Sequence, residues 1–234
     1  MKAVFLRELR NYFITPVGFI YLTVFVFFAG FYFSGYCLIS GSSELSAVFS
    51  NLFLICIFLI PILTMRLLSE DRKNKTDQLL LTAPLSLYGL VFGKFTAALT
   101  IFTAGSCVFF LLGGILSFLS SPNWPMLAGN LIGLLLLGAA LIAMGTFISS
   151  LTESQVVAAI SSFAFGLFLL ITDAAVSMVA HPVLQEILRF LSFNRHYSKF
   201  TQGILPLEDI IFFLSTTFFF LFLTVSVFER RRWK

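Results

Sequence analysis

Apolar residues in this chain do not alternate with polar ones. They run continuously, over about Val17–Ile39, Leu45–Leu68, Leu87–Leu119, Leu127–Ser150, Val156–Val179 and Leu207–Phe228. Each run holds at least about 20 residues, enough for a helix to cross a hydrocarbon core. A membrane strand would alternate at period two, and irregular chain would leave its backbone groups unsatisfied in lipid. The pattern therefore predicts an all-α integral membrane protein with six transmembrane helices, forming a single transmembrane domain over residues 1–234. The third run is long enough to tilt or to extend beyond the bilayer.

Two shorter segments are amphipathic. In residues 1–15, Phe5, Leu6, Leu9, Tyr12 and Phe13 share one helical face, while Arg7, Glu8, Arg10 and Asn11 fall on the other. Val4 is the one imperfection. This predicts an interfacial helix lying along the membrane surface, separated from the first span by Pro16. In residues 180–206, Leu184, Ile187, Leu188 and Leu191 follow i, i+3, i+4, i+7 spacing, which predicts a helix lying on or dipping into the outer leaflet. Pro206 opens the last span, and Glu208 and Asp209 stand in its first turn, where the helix dipole favours acids.

Composition agrees with the pattern. The chain is 59% hydrophobic and 11% charged, with mean hydropathy +0.99, where a soluble domain carries roughly 25% charge. The first run is too long for the apolar core of a removable signal peptide, so none is expected. Cys37, Cys56 and Cys107 lie in separate runs without CxxC spacing and read as small apolar residues. The formal net charge of +4 does not point to nucleic acid, because the basic residues flank spans. With the N-terminus inside, 12 Lys and Arg are cytoplasmic and 3 (Arg189, Arg195, Lys199) are outside. The positive-inside rule then puts both termini in the cytoplasm. Residues 69–84, SEDRKNKTDQLLLTAP, become the only substantial internal loop on that face; Leu151 to Gln155 is a tight turn.

Little in the chain resembles a catalytic site. His181 and His196 lie outside without metal-ligand spacing and read as solvated loop residues; no metal site and no catalytic residue are expected. GLVFGKF (Gly89 to Phe95) is one residue short of a phosphate loop and lacks its hydroxyl. Gly89 and Gly93 read better as a GxxxG packing face, with Lys94 snorkelling towards headgroups; Gly129 and Gly133 form a second such pair. Any ATP and magnesium must therefore be bound by another chain. Asp173 is the one acid well inside a predicted span, a polar candidate by default.

The stretch MRLLSEDRKNKTDQLLLTAPLSLYGLVFGKFTAAL, Met65 to Leu99, resembles the loop after the second span of ABC-2 type transporter permeases. Glu70 and Asp71 match that family's acidic pair, and Arg72 and Lys73 its basic residues. Thr76, Leu79, Leu80, Leu81, Thr82, Pro84, Gly93 and Lys94 match the rest. Lys75 stands where the family usually has Gly, and Gln78 where it has Glu. The compact size and the ending FLTVSVFERRRW look most like the gliding-motility-associated branch. The resemblance implies that residues 69–84 form a coupling helix, capped by Ser69, that docks on a separate nucleotide-binding ATPase subunit. A second permease chain, identical or related, would complete the path, with spans one, two and five as its walls. Leu184, Leu188, Asn194, Arg195, His196 and Tyr197 would then belong to an extracytoplasmic gate or partner surface, facing a periplasmic or auxiliary membrane subunit. The alternative is a membrane scaffold that passes ATPase work to a periplasmic partner without moving a solute.

Overall fold

The computed structural model describes residues 2–42, 44–75, 86–119, 123–178 and 181–232. Among them every regular element is helical, and six helices are long and apolar enough to cross a membrane. Helix α1 covers Lys2–Ile14. Span one is α2 (Pro16–Phe33) continued by a π-helical stretch, Ser34–Ile39. Span two is α3 (Ser46–Thr64), which turns at residues 65–68 into the short α4 (Ser69–Lys73). Span three is α5 (Leu87–Ser106) followed by α6 (Val108–Leu119). Spans four and five are α7 (Trp124–Leu151) and α8 (Gln155–Met178). Two short helices, α9 (Pro182–Leu191) and α10 (Phe193–Thr201), precede span six, α11 (Leu207–Arg232).

The helix starts follow local chemistry. The Ser86 hydroxyl accepts from Gly89 N at 3.2 Å, and Asn123 Oδ1 accepts from Met126 N at 3.3 Å. Ser192 does the same for Arg195 N at the start of α10. Each satisfies a backbone donor that the first helical turn leaves without a partner. Proline opens α2, where its missing N–H costs nothing.

Span four is the central post. Leu134, Leu137, Ala140, Ile142 and Ala143 on it are fully buried, and it packs against α3, α5, α8, α10 and α11. Its GxxxG pair does serve close packing, but against α10 and its end, not against another span. A methyl group on Gly133 would overlap the Phe200 side chain, and Gly129 faces the backbone of Gly203. Gly133→Leu should therefore push α10 off its seat and cost about 1–3 kcal/mol, read as a lower melting temperature in detergent. Spans one, five and six carry the outward apolar surface, including Phe27, Phe31, Phe168, Ile171, Phe218 and Phe222. In water such surface would drive association; in a bilayer it is suited to lipid or to another membrane chain.

The interfacial helix is seated differently from its pattern. Its inward seam is Val4, Glu8 and Tyr12, spaced four apart, while Leu6, Phe13 and Ile14 are exposed. Val4, the imperfection of the two-face reading, is part of the seam. Glu8 leaves the polar face because a buried cation awaits it.

Candidate functional site

Three elements meet at the end of the bundle where α1 lies: α1, the α3–α4 turn, and the first turns of α5. Their meeting point is Lys94, 1% exposed. Its Nζ lies 3.0 Å from Glu8 Oε1 and 2.7 Å from Asp71 Oδ2, and it also donates to the Leu67 carbonyl. Arg7 adds contacts of 2.8 Å to Glu8 and 3.7 Å to Asp71 from a more exposed position. Lys94 therefore does not snorkel to headgroups; it is turned inward, because two carboxylates offset a desolvation cost that lipid headgroups would not have imposed. Tyr12 completes the seam by donating to the Leu63 carbonyl at 2.7 Å, and burial pushes its phenol well above the usual range.

The short helix α4 is held from both sides. Glu70 accepts Arg66 Nε and Nη2, both at 2.8 Å, a two-pronged pairing that fixes the guanidinium. Arg72 reaches across to Glu153 at 2.9 Å and to the Ser150 carbonyl at 3.5 Å. The turn after span four is thus tied to α4 and is more than a connection. Lys73 is exposed.

Ser69 is not the cap that the resemblance implies. The N-cap position falls on Leu68, and the Ser69 hydroxyl donates back to the Met65 carbonyl. The donors at this helix start are met instead by Ser149, whose Oγ accepts from Leu68 N at 3.2 Å and Ser69 N at 3.1 Å. A residue about 80 positions away performs the capping, which no local pattern could show.

At the other end of α4, Lys75 has φ of 54°, the left-handed conformation that closes many helices and that glycine adopts without steric penalty. The Gly that the resemblance implies at this place would adopt this conformation without strain. Lys75→Gly should relieve about 1 kcal/mol of local strain and raise the melting temperature by a few degrees. Thr76, Leu79, Leu80, Leu81, Thr82 and Pro84 lie outside the described residues.

The opposite end has its own polar cluster. Asp209 is fully buried in the first turn of α11, with His196 Nδ1 at 2.5 Å and Lys199 Nζ at 3.1 Å. The His196 ring stacks on Phe212 with centroids 4.1 Å apart, and its Nε2 lies 3.0 Å from the Phe190 carbonyl. His196 is therefore packed and paired, not a solvated loop residue, whereas His181 is exposed. Asp173 accepts from the Ser192 hydroxyl at 2.5 Å, so this acid secures the α9–α10 junction to span five. Tyr197 turns inward as well: it is buried, donates to the Phe49 carbonyl at 2.8 Å and stacks on Phe53, which removes it from the outer surface of this chain. Asn194 and Arg195 are exposed, Leu184 is exposed, and Leu188 is half-buried.

Residues 19–233 match the family described as ABC-2 family transporter protein. The chain belongs to that family. No curated protein matches it. The ABC-2 permease is a membrane component of an ABC transporter and not itself an ATPase, and membership implies a partner ATPase subunit. The match begins after α1. Glu8, which this permease uses to hold Lys94 from outside the matched region, thus escapes a reading based on the loop alone. Ser149, Glu153, Lys199 and Asp209 escape it too. Ser149, Glu153 and Asp209 share a weak signal, a polar residue at or near the boundary of an apolar run; Glu8 and Lys199 stand further from one.

Proposed function

We propose that this permease couples ATP hydrolysis on a separate nucleotide-binding subunit to movement of a substrate across a bacterial inner membrane. Both termini lie in the cytoplasm, and residues 69–84 form the docking element. ATP and magnesium sit on the partner. A second permease chain completes the path, with spans one and five, whose surfaces are largely exposed, as its nearer walls. The outer segment carrying Leu184, Leu188, Asn194 and Arg195 acts as gate or contact site. The chain's compact size and the stretch FLTVSVFERRRW support a reading in which it is related to the gliding-motility-associated branch.

The observation that carries this reading is the Lys94 cluster. A force applied to α4 reaches span two directly through the chain, span three through Asp71 and Lys94, and α1 through Glu8. The Arg72–Glu153 pair adds the junction of spans four and five. A short helix tied to this many elements can act as a lever.

The chain, solubilised gently from its native membrane, should carry an ATP-hydrolysing subunit with it. Lys73→Glu reverses an exposed charge on α4 without breaking a described ion pair. It should lower recovery of that subunit several-fold while leaving the permease's melting temperature unchanged. Recovery of no nucleotide-binding subunit from wild type would sink the proposal.

A further inference from the structure

Beside the Lys94 cluster, a groove of about 140 Å³ runs between α1 and the end of span two, walled by Glu8, Asn11, Tyr12, Thr15, Arg66 and Glu70. It adjoins a second hollow of about 200 Å³ that shares four of these residues and adds Arg7, Asp71, Asn74 and Lys94. Three cations (Arg7, Arg66, Lys94) and three carboxylates (Glu8, Glu70, Asp71) therefore face one connected space. Arg66 is fixed as a wall by its double contact with Glu70. Val17 and Leu67 add apolar lining where span one begins.

We propose that this groove binds a phospholipid with a zwitterionic, primary-amine headgroup, the phosphoethanolamine class. The balance of charge argues against other ligands. A bare anion entering the groove would meet three carboxylates, and a polycation three basic groups, whereas a zwitterion can place each of its ends against its opposite. The phosphate falls towards Arg66 and Arg7, and the ammonium towards Glu8 and Glu70. A primary ammonium donates hydrogen bonds to carboxylates and to the Asn11 and Thr15 oxygens; a trimethylammonium has no proton to donate. Depth argues for a lipid source. The exposed Leu6, Phe13 and Ile14 of α1 mark the level where headgroups meet acyl chains, and Val17 lines the groove at the start of a span. A diacyl tail could leave the groove along span one without crossing polar surface.

The test is lipid retention, measured by native mass spectrometry on the intact chain. The chain is held in nanodiscs of equal parts phosphatidylethanolamine, phosphatidylcholine and phosphatidylglycerol. Asn11 is exposed and belongs to no ion pair, so Asn11→Trp fills the groove while sparing the Lys94 cluster. Wild type should release with phosphatidylethanolamine bound about tenfold more often than with either other lipid. Asn11→Trp should lose that preference at an unchanged melting temperature. Equal retention of the three lipids, or a preference that survives Asn11→Trp, overturns the proposal. Displacement of the lipid by millimolar soluble phosphoethanolamine would assign the groove to a free headgroup compound instead and overturn the lipid source. Absence of any bound lipid, with Asn11→Trp releasing the ATPase subunit, would give the groove to a protein segment and overturn it as well.

Discussion

Lys94→Met should lower the melting temperature of the detergent-solubilised chain by roughly 10 °C. The substitution keeps the length and much of the volume of the side chain, so packing changes little. What it removes is the cation between Glu8 Oε1 and Asp71 Oδ2, at 3.0 and 2.7 Å. Both acids are mostly buried, with side chains 10% and 17% exposed. Arg7 remains, but at 43% exposure it is screened and cannot replace an enclosed ammonium. Breaking a buried ion pair by removing one partner costs about 3–5 kcal/mol, because the remaining carboxylates lose their enclosed counter-charge. For a chain of this size each kcal/mol moves the melting temperature by about 2–4 °C. The triple variant Glu8→Gln, Asp71→Asn, Lys94→Met removes both enclosed carboxylates with their cation, leaves only the half-exposed Arg7 to be solvated, and should recover most of the loss. It should not recover coupling: with the ionic tie between α1, α4 and α5 gone, ATP hydrolysis in the complex should proceed with transport reduced about tenfold or more. A Lys94→Met chain that melts within about 2 °C of wild type would show that the cluster holds nothing together.

Asp209→Ala should expose the outer segment to protease. Asp209 is fully buried and faces His196 Nδ1 and Lys199 Nζ, both on α10. Removing the carboxylate leaves two partly enclosed nitrogen groups without their acceptor, at a cost of about 2 kcal/mol. The loss is local, since Tyr197 still bonds the Phe49 carbonyl and Phe200 still packs on Gly133. Local opening of α10 should therefore become roughly 30-fold more populated. Tryptic cleavage at Arg195 and Lys199 should accelerate by about that factor, while cleavage at Arg230 stays constant. Unchanged cleavage at Arg195 would mean that Asp209 does not anchor this segment.

These two residues also show where sequence reasoning reached its limit. The apolar runs place six spans correctly to within a few residues, because lipid requires uninterrupted apolar length and helices satisfy their own backbone. Glu70 and Asp71 fall in the first turn of α4, as the helix dipole favours. The family's usual Gly at position 75 is matched by a left-handed backbone there, so the departure to Lys75 is visible in the sequence and explained by the fold. By contrast, Lys94 looked like a snorkelling lysine and Glu8 like a solvated face. A one-dimensional pattern assigns polar residues near a membrane boundary to water by default, and that default fails when two such residues meet.

The sequence by itself determined that this protein crosses a membrane six times, carries its charges at the ends of its spans, and contains no complete phosphate loop of its own. These properties belong to single segments: run length, helical period and local charge. Only the tertiary structure decided which charges are solvated and which are structural. Ser149 caps α4 from 80 residues away, Glu8 reaches Lys94 across 86 positions, and Asp209 holds an α10 that Gly133 allows to approach. Such contacts depend on how helices pack side by side, and packing is fixed by shape and burial across the whole bundle, not by the spacing of residues along one helix.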